Sequence, residues 1–242
     1  LDPTNLHAVR ALQELAEQEQ DWPEALRLHE LEADVSEDQK EVVSILHRAG
    51  TLREARADDI DGAISDYEKA LTLNPTYLPA LRSLGRLYAR KERYADLLVM
   101  YRRELDVTRS DQQRVQLLFR AADVLAERLD NVDGAVELLE QVLEVDADNL
   151  AALRALADLH TRAGAYEPLV QVLSKEAHTV SDTKEKATLL MQAAELLEDK
   201  LARGDQAAEL YQDVIRLGQY VDPATRALVR IYSVEGLWNA LS

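Results

Sequence analysis

The feature of this sequence that most constrains its fold is an internal repeat with a period of 72 residues. Four stretches align without a gap when the sequence is written in rows of that length: LDPTNLHAVRALQELAEQEQDW, LNPTYLPALRSLGRLYARKERY, VDADNLAALRALADLHTRAGAY and LGQYVDPATRALVRIYSVEGLW. One aligned column holds Leu12, Leu84, Leu156 and Leu228, and an aromatic residue closes each stretch as Trp22, Tyr94, Tyr166 and Trp238. Because apolar residues recur within each row at helical spacing, the rows are predicted to be helical units that stack on one another.

Each row is predicted to contain four helices, or two helical hairpins. In the first row the predicted helices span 4–19, 22–35, 38–56 and 61–72, and the same pattern recurs at each addition of one period. An aspartate precedes the last apolar helical series of each complete row and is predicted to be its N-cap, as Asp61, Asp133 and Asp205. The low aromatic content of 5%, with only eight Gly and six Pro, also favours long helices over strands.

Composition excludes several classes of function. The formal charge of -17 would repel a phosphate backbone, so nucleic acid is not an expected partner. The chain has no Cys, which excludes disulfides and thiolate metal sites. No apolar run is long enough to span a membrane, so we expect a soluble protein, with the cytoplasm favoured over the periplasm. An excess of Arg over Lys, with abundant Ala and Leu, favours a GC-rich bacterial coding sequence.

The positions of the large and small apolar residues resemble those of the tetratricopeptide repeat family. In the second row these positions are held by Leu81, Leu84, Gly85, Tyr88, Tyr94, Leu97 and Tyr101. The preceding hairpin matches the second helix of the repeat at Ala63, Tyr67, Ala70 and Pro75. The resemblance covers essentially the whole chain, but Leu97 and Leu169 replace the usual small residue, and a longer turn lies around Arg56 to Ile60. It implies an all-α solenoid of antiparallel helix hairpins, in a right-handed superhelix whose concave groove is lined by the first helix of each hairpin.

We expect one solenoid over residues 1–242, built from units 1–72, 73–144 and 145–216 with a partial unit 217–242. A stack of hairpins normally needs polar caps at its ends, and this sequence has none, so a segment of a longer protein is expected. Alternatively, the apolar end is covered by another copy of the chain, through Leu237, Trp238 and Leu241.

The sequence contains no pattern that predicts chemistry. The histidines are scattered, with none paired at metal-binding spacing, at His7, His29, His47, His160 and His178. No nucleophile elbow, phosphate-binding loop or dinucleotide fingerprint is present. We therefore expect no catalytic residue, no cofactor and no metal site in this chain.

The family register places an arginine column in the groove, at Arg10, Arg82, Arg154 and Arg226. The next groove positions add Arg86 and Arg230, and the following ones add Arg90 and Arg162. One interpretation, which we favour, is that acids of neighbouring hairpins neutralise these arginines; the candidates are Asp123, Glu127, Glu195 and Glu198. The other is that they bind a carboxylate or phosphate of a ligand.

These observations predict a non-catalytic scaffold or adaptor that binds a protein or peptide, of acidic character, in its concave groove. Two alternatives remain. The chain could be a structural spacer or self-assembling rod that acts through its ends, or it could be a regulatory segment of a larger enzyme.

Overall fold

The structure is a computed structural model that describes residues 5–235. Within that range the chain forms thirteen α-helices and one π-helical turn, and it contains no strand. In the first half of the chain the helices are α1 (Leu6–Gln18), α2 (Trp22–Val35), α3 (Gln39–Leu52), the π-helical turn (Arg53–Ala57), α4 (Ile60–Leu73), α5 (Leu78–Arg90), α6 (Tyr94–Val107) and α7 (Asp111–Arg128). The remaining helices are α8 (Val132–Val145), α9 (Leu150–Ala163), α10 (Tyr166–Thr179), α11 (Thr183–Asp199), α12 (Gly204–Arg216) and α13 (Val221–Glu235).

The all-α fold class is confirmed, and most predicted helix ends fall within about two residues of the observed ones. The main difference is the third helix, which ends as an α-helix at Leu52 and continues as the π-helical turn. Arg53 begins that turn and donates from Nε to Asp66 Oδ2 at 2.8 Å and from Nη1 to Asp59 Oδ2 at 3.1 Å. These bonds tie the end of α3 to α4 across the long connection.

The predicted N-caps are wrong by two residues. Asp59 and Asn131 cap α4 and α8, accepting from the amides of Gly62 and Gly134 at 2.9 Å each. No side chain caps α12, which follows Arg203. The predicted residues lie inside the first turns, where a carboxylate still interacts favourably with the helix dipole: Asp61, Asp133 and Asp205.

Two compact units make up the chain, with the boundary between Leu117 and Leu118 inside α7. In the first unit the successive helices from α1 to α6 pack against one another, and in the second the successive helices from α8 to α13 do so. Packing of each helix on its sequence neighbours is the contact pattern of a solenoid. One continuous solenoid over residues 1–242 stays a prediction.

The aligned apolar columns form the core of both units. Leu84, Leu156 and Leu228 are buried, and so are Leu87 and Leu159 in the next column. Small residues in one column of the repeat are fully buried, as Ala63, Ala135 and Ala207. The aromatic positions four residues later pack beside them, as Tyr67 and Tyr211. A Cβ atom on Gly50 would lie 2.6 Å from the Tyr67 ring, so this helical position has room only for glycine.

Candidate functional site

Each unit contains a cleft formed by the first helices of two consecutive hairpins. The α1–α3 cleft has a volume of about 720 Å³ and is lined by residues that include Gln13, Glu14, His29, Arg48 and Ala55. The α9–α11 cleft has a volume of about 490 Å³ and is lined by residues that include Ala157, Asp158, Leu173, Gln192 and Asp199. Each of these residues of the α9–α11 cleft lies two repeat periods further along the sequence than its counterpart in the α1–α3 cleft. The two clefts are therefore equivalent sites of the repeat.

The α1–α3 cleft has a polar floor. Glu32 of α2 is fully buried and accepts hydrogen bonds from Arg10 Nε at 2.7 Å, Gln13 Nε2 at 2.9 Å and Arg48 Nη2 at 3.1 Å. Burial acts to raise the pKa of Glu32, but the hydrogen bonds from Arg10 and Gln13 act in the opposite direction and hold its pKa below the ordinary value. His29 is buried beside this group, with Nε2 3.4 Å from Glu17 Oε1. An ionised carboxylate therefore holds the two arginines in place under the cleft.

Three members of the first arginine column, Arg10, Arg82 and Arg154, are neutralised within their own hairpins. The acids lie 22 residues further on, in the second helix, and all three are buried: Glu32, Glu104 and Glu176. Arg82 Nε is 2.5 Å from Glu104 Oε1, and Arg154 Nε is 2.9 Å from Glu176 Oε1. Arg10 and Arg154 also form ion pairs with the third helix of their rows, through Glu41 and Glu185. These side chains link helices to one another.

The second arginine column forms a three-residue group with a buried tyrosine. Arg230 donates from Nε and Nη2 to Glu198 at 2.7 and 2.8 Å, and Tyr211 Oη is 3.1 Å from the same carboxylate. The equivalent residues two periods earlier repeat the arrangement, as Arg86, Glu54 and Tyr67. Burial and the neighbouring Glu198 carboxylate raise the pKa of Tyr211, so its hydroxyl stays protonated and donates to Glu198.

The eight predicted groove arginines thus divide into two classes. Arg162 Nη1 is 2.6 Å from Glu127 Oε1. Six of the eight therefore form an ion pair within the chain: Arg10, Arg82, Arg86, Arg154, Arg162 and Arg230. Arg90 and Arg226 are exposed, and neither forms an ion pair within residues 5–235. Of the candidate acids in neighbouring hairpins, Glu127 pairs with Arg162 and Glu198 pairs with Arg230. The acids that bind the Nε atoms of Arg10, Arg82 and Arg154 lie instead in the same hairpin as each arginine.

Sequence reasoning missed the acids that neutralise the first arginine column. A signal was present, because Glu32, Glu104 and Glu176 occupy one column of the 72-residue period and each lies in a helix with an apolar face. An acid that recurs at a buried position predicts a buried cation beside it. The predicted end contact at Leu237, Trp238 and Leu241 lies outside the described residues.

The α9–α11 cleft differs from its equivalent because its floor is apolar. Leu169 and Leu173 are buried on α10, and the half-buried Leu196 of α11 lies beside them. Three exposed acids belong to the same cleft: Asp158, Glu195 and Asp199. This arrangement offers an aliphatic surface next to negative charge.

Three buried or half-buried histidines predict a loss of stability in mild acid. Burial lowers the pKa of His29, His47 and His160 below the ordinary value of 6.5. Below pH 6.5 these histidines therefore bind more protons in the unfolded chain than in the folded one. The free energy of unfolding should fall as the pH drops from 6.5 toward 5, and these groups should not change it above pH 6.5. Urea denaturation at pH 7.5, 6.5 and 5.5 measures this change.

A His29→Gln, His160→Gln variant is the control for this prediction, since its stability should depend less on pH between 6.5 and 5.5. The carboxyl groups of lowered pKa, Glu24, Glu32 and Glu198, lose their contribution to stability as the pH falls below about their ordinary value of 4.5, which lies outside this range. Equal stability of the unmodified protein at pH 7.5 and 5.5 would contradict the prediction.

Two further kinds of site are absent from residues 5–235, the part of the chain that the structure describes. No helix there is both long and apolar enough to cross a membrane. The same residues include no cluster of His and acidic side chains arranged to hold a metal ion.

Comparison with known proteins places two segments in one family. Residues 45–77 and 80–115 match the tetratricopeptide repeat. No curated protein sequence matches the chain. A chain of the Naa15/Naa10 complex bound to HypK-THB matches the structure with a TM-score of 0.59 at 20% identity, over 95% of this chain and 34% of that one.

Two smaller solved proteins match over most of their own length. YrrB, described as a TPR protein with an unusual peptide-binding site, has a TM-score of 0.43 and 17% identity, over 80% of this chain and 93% of that one. A tetratricopeptide repeat protein from Parabacteroides merdae has a TM-score of 0.42 and 18% identity, over 96% of this chain and 86% of that one. Residues 45–77 and 80–115 are thus similar to the tetratricopeptide repeat, and both matches lie within the first unit of the chain.

Proposed function

We propose that this chain is a non-catalytic scaffold or adaptor that binds a peptide or protein segment in the α1–α3 and α9–α11 clefts. The observation that supports the proposal is the recurrence of an open concave site at the same position of the repeat in both units. Clefts of several hundred Å³ lined by a few polar groups are typical of ligand sites. Side chains of three helices line each cleft, so a bound segment would contact a rigid surface.

An acidic ligand is a narrower part of the proposal, and it rests on Arg90. Its guanidinium group is exposed and forms no ion pair within the described residues. Six of the other groove arginines already have carboxylate partners, so a ligand acid would have to compete with them. Arg90, which lines neither of the two clefts, is therefore the position at which a ligand carboxylate would gain a new ion pair.

The proposal is tested by blocking the clefts without disturbing the buried ion pairs. Thr161→Trp with Gln192→Trp adds bulk to exposed positions of the α9–α11 cleft, and Glu14→Trp with Ala55→Trp does the same in the α1–α3 cleft. Affinity capture from a native lysate, followed by mass spectrometry, should recover partners with the unmodified chain and lose them with the blocked variant.

The matched control places two tryptophans on α12, at Gln206 and Glu209, which are exposed and line neither cleft. This variant should capture the same partners as the unmodified chain. If the blocked variant, with an unchanged circular dichroism spectrum, captures the same proteins, the clefts are not the binding surface. A spacer or self-assembling role would then be favoured.

A further inference from the structure

We infer that the α9–α11 cleft selects a segment that carries an aliphatic side chain next to Lys or Arg. This inference rests on the proposed function and specifies the ligand of one of its two clefts. It differs from the acidic ligand proposed for Arg90, because the cleft itself has the opposite charge.

The floor of the cleft accounts for the aliphatic part of the ligand. Leu169 and Leu173 of α10 and Leu196 of α11 form a continuous apolar surface at the bottom of a cleft of about 490 Å³. The equivalent positions in the α1–α3 cleft include Gln13 and His29, where this cleft has Ala157 and Leu173. Both clefts have a leucine at one equivalent position, Leu52 and Leu196, but Leu173 in place of His29 gives the α9–α11 cleft a second aliphatic contact for a ligand side chain.

The acids at the edge of the cleft account for the basic part. Glu195 and Asp199 of α11 are exposed, and neither forms a hydrogen bond or ion pair with a described residue. Asp158 lies 3.8 Å from Arg162, but that guanidinium is held at 2.6 Å by Glu127. These carboxylates are thus available to a Lys or Arg of the ligand.

The one basic residue of this cleft does not cancel its charge. Lys200 Nζ lies 5.8 Å from the centre of the Tyr166 ring, over its face. In the α1–α3 cleft the position of Lys200 carries Arg56, and the positions of Glu195 and Asp199 carry Thr51 and Ala55, so the acids of that cleft are Glu14 and Glu17 of α1. The formal charge of -17 for the whole chain would also attract a basic segment during diffusional encounter.

A random dodecapeptide display library, panned against the purified chain, tests the inference. The enriched peptides should place Leu, Ile or Val within a few residues of Lys or Arg. A synthetic copy of the strongest peptide should bind a Glu195→Gln, Asp199→Asn variant about tenfold more weakly, since each lost ion pair weakens binding severalfold. Its affinity should also fall as salt is added.

The matched control is Asp205→Asn with Glu209→Gln, which removes the same charge from α12, outside the cleft. The peptide should bind this variant within about twofold of the unmodified chain. Equal weakening by both pairs of substitutions would mean that a basic peptide is attracted only by the net charge, and the inference would be wrong.

The remaining outcomes separate the inference from the proposed function. Enriched peptides that are acidic or uncharged, and that no longer bind the Thr161→Trp, Gln192→Trp variant, would overturn the basic preference while supporting a binding cleft. If the two tryptophans weaken the binding of no enriched peptide, both the inferred preference and the proposed binding function would be overturned for this cleft.

Discussion

Replacing Tyr211 with alanine is expected to lower the free energy of unfolding by about 3–5 kcal/mol, the range for deleting a large buried aromatic side chain. Tyr211 is 1% exposed and lies in the core cluster formed by α10 to α13. The substitution would leave a cavity between α11 and α12 and remove the hydroxyl that donates to Glu198. Urea denaturation followed by circular dichroism measures the change. Hydrogen exchange of the α11 and α12 amides would show where the structure is weakened.

Tyr211→Phe is the matched control, because it keeps the ring and removes only the hydroxyl. It should cost about 1 kcal/mol, since Glu198 remains bound to Arg230 through two hydrogen bonds. An alanine variant that is no less stable than the phenylalanine variant would contradict the packing described for this core.

Glu32→Ala is expected to lower the free energy of unfolding by about 3 kcal/mol, because it removes the shared partner of a buried network. The carboxylate is fully buried, and its loss leaves the buried amide of Gln13 without an acceptor from Glu32. The side chains of Arg10 and Arg48 are 41% and 50% exposed, so water can hydrate them again, which places the estimate at the low end for a broken buried pair. Thermal or urea denaturation measures the effect.

Glu24→Ala provides a comparison within the same helix. Its carboxylate forms an exposed ion pair with Arg27 one turn away, and water replaces such a pair easily. The denaturation midpoint should therefore change little or not at all. If Glu24→Ala and Glu32→Ala were equally destabilising, the network under the α1–α3 cleft would not have the stabilising role that its geometry indicates.

The ion pairs also decide how the groove arginines can be tested. Charge reversal at Arg82 or Arg86 would place a new carboxylate against Glu104 or Glu54, so lost binding would be confounded with lost stability. Arg90 has no such partner within the described residues. Arg90→Glu is therefore the informative substitution for an acidic ligand.

The sequence by itself determined the helices, their order and their apolar faces. Helical periodicity depends on residues three and four apart, and the 72-residue repeat shows the same pattern several times, so local information was sufficient. The sequence predicted the N-cap residues less accurately. Asp59 and Asp61 are both suitable N-cap residues, and the position at which the chain turns into the helix decides which of them caps α4.

Only the tertiary structure decided which charges meet and what each cleft contains. Arg10, Arg86 and Arg162 form ion pairs with acids that lie 22, 32 and 35 residues away in the sequence, outside their own helices. The rotation and spacing of the packed helices determine which acid each arginine reaches. The same packing makes His29 the floor of one cleft and Leu173 the floor of its equivalent. A sequence period shows which residues share a column, but the packing of helices decides which columns come into contact, because those contacts join residues far apart in the chain.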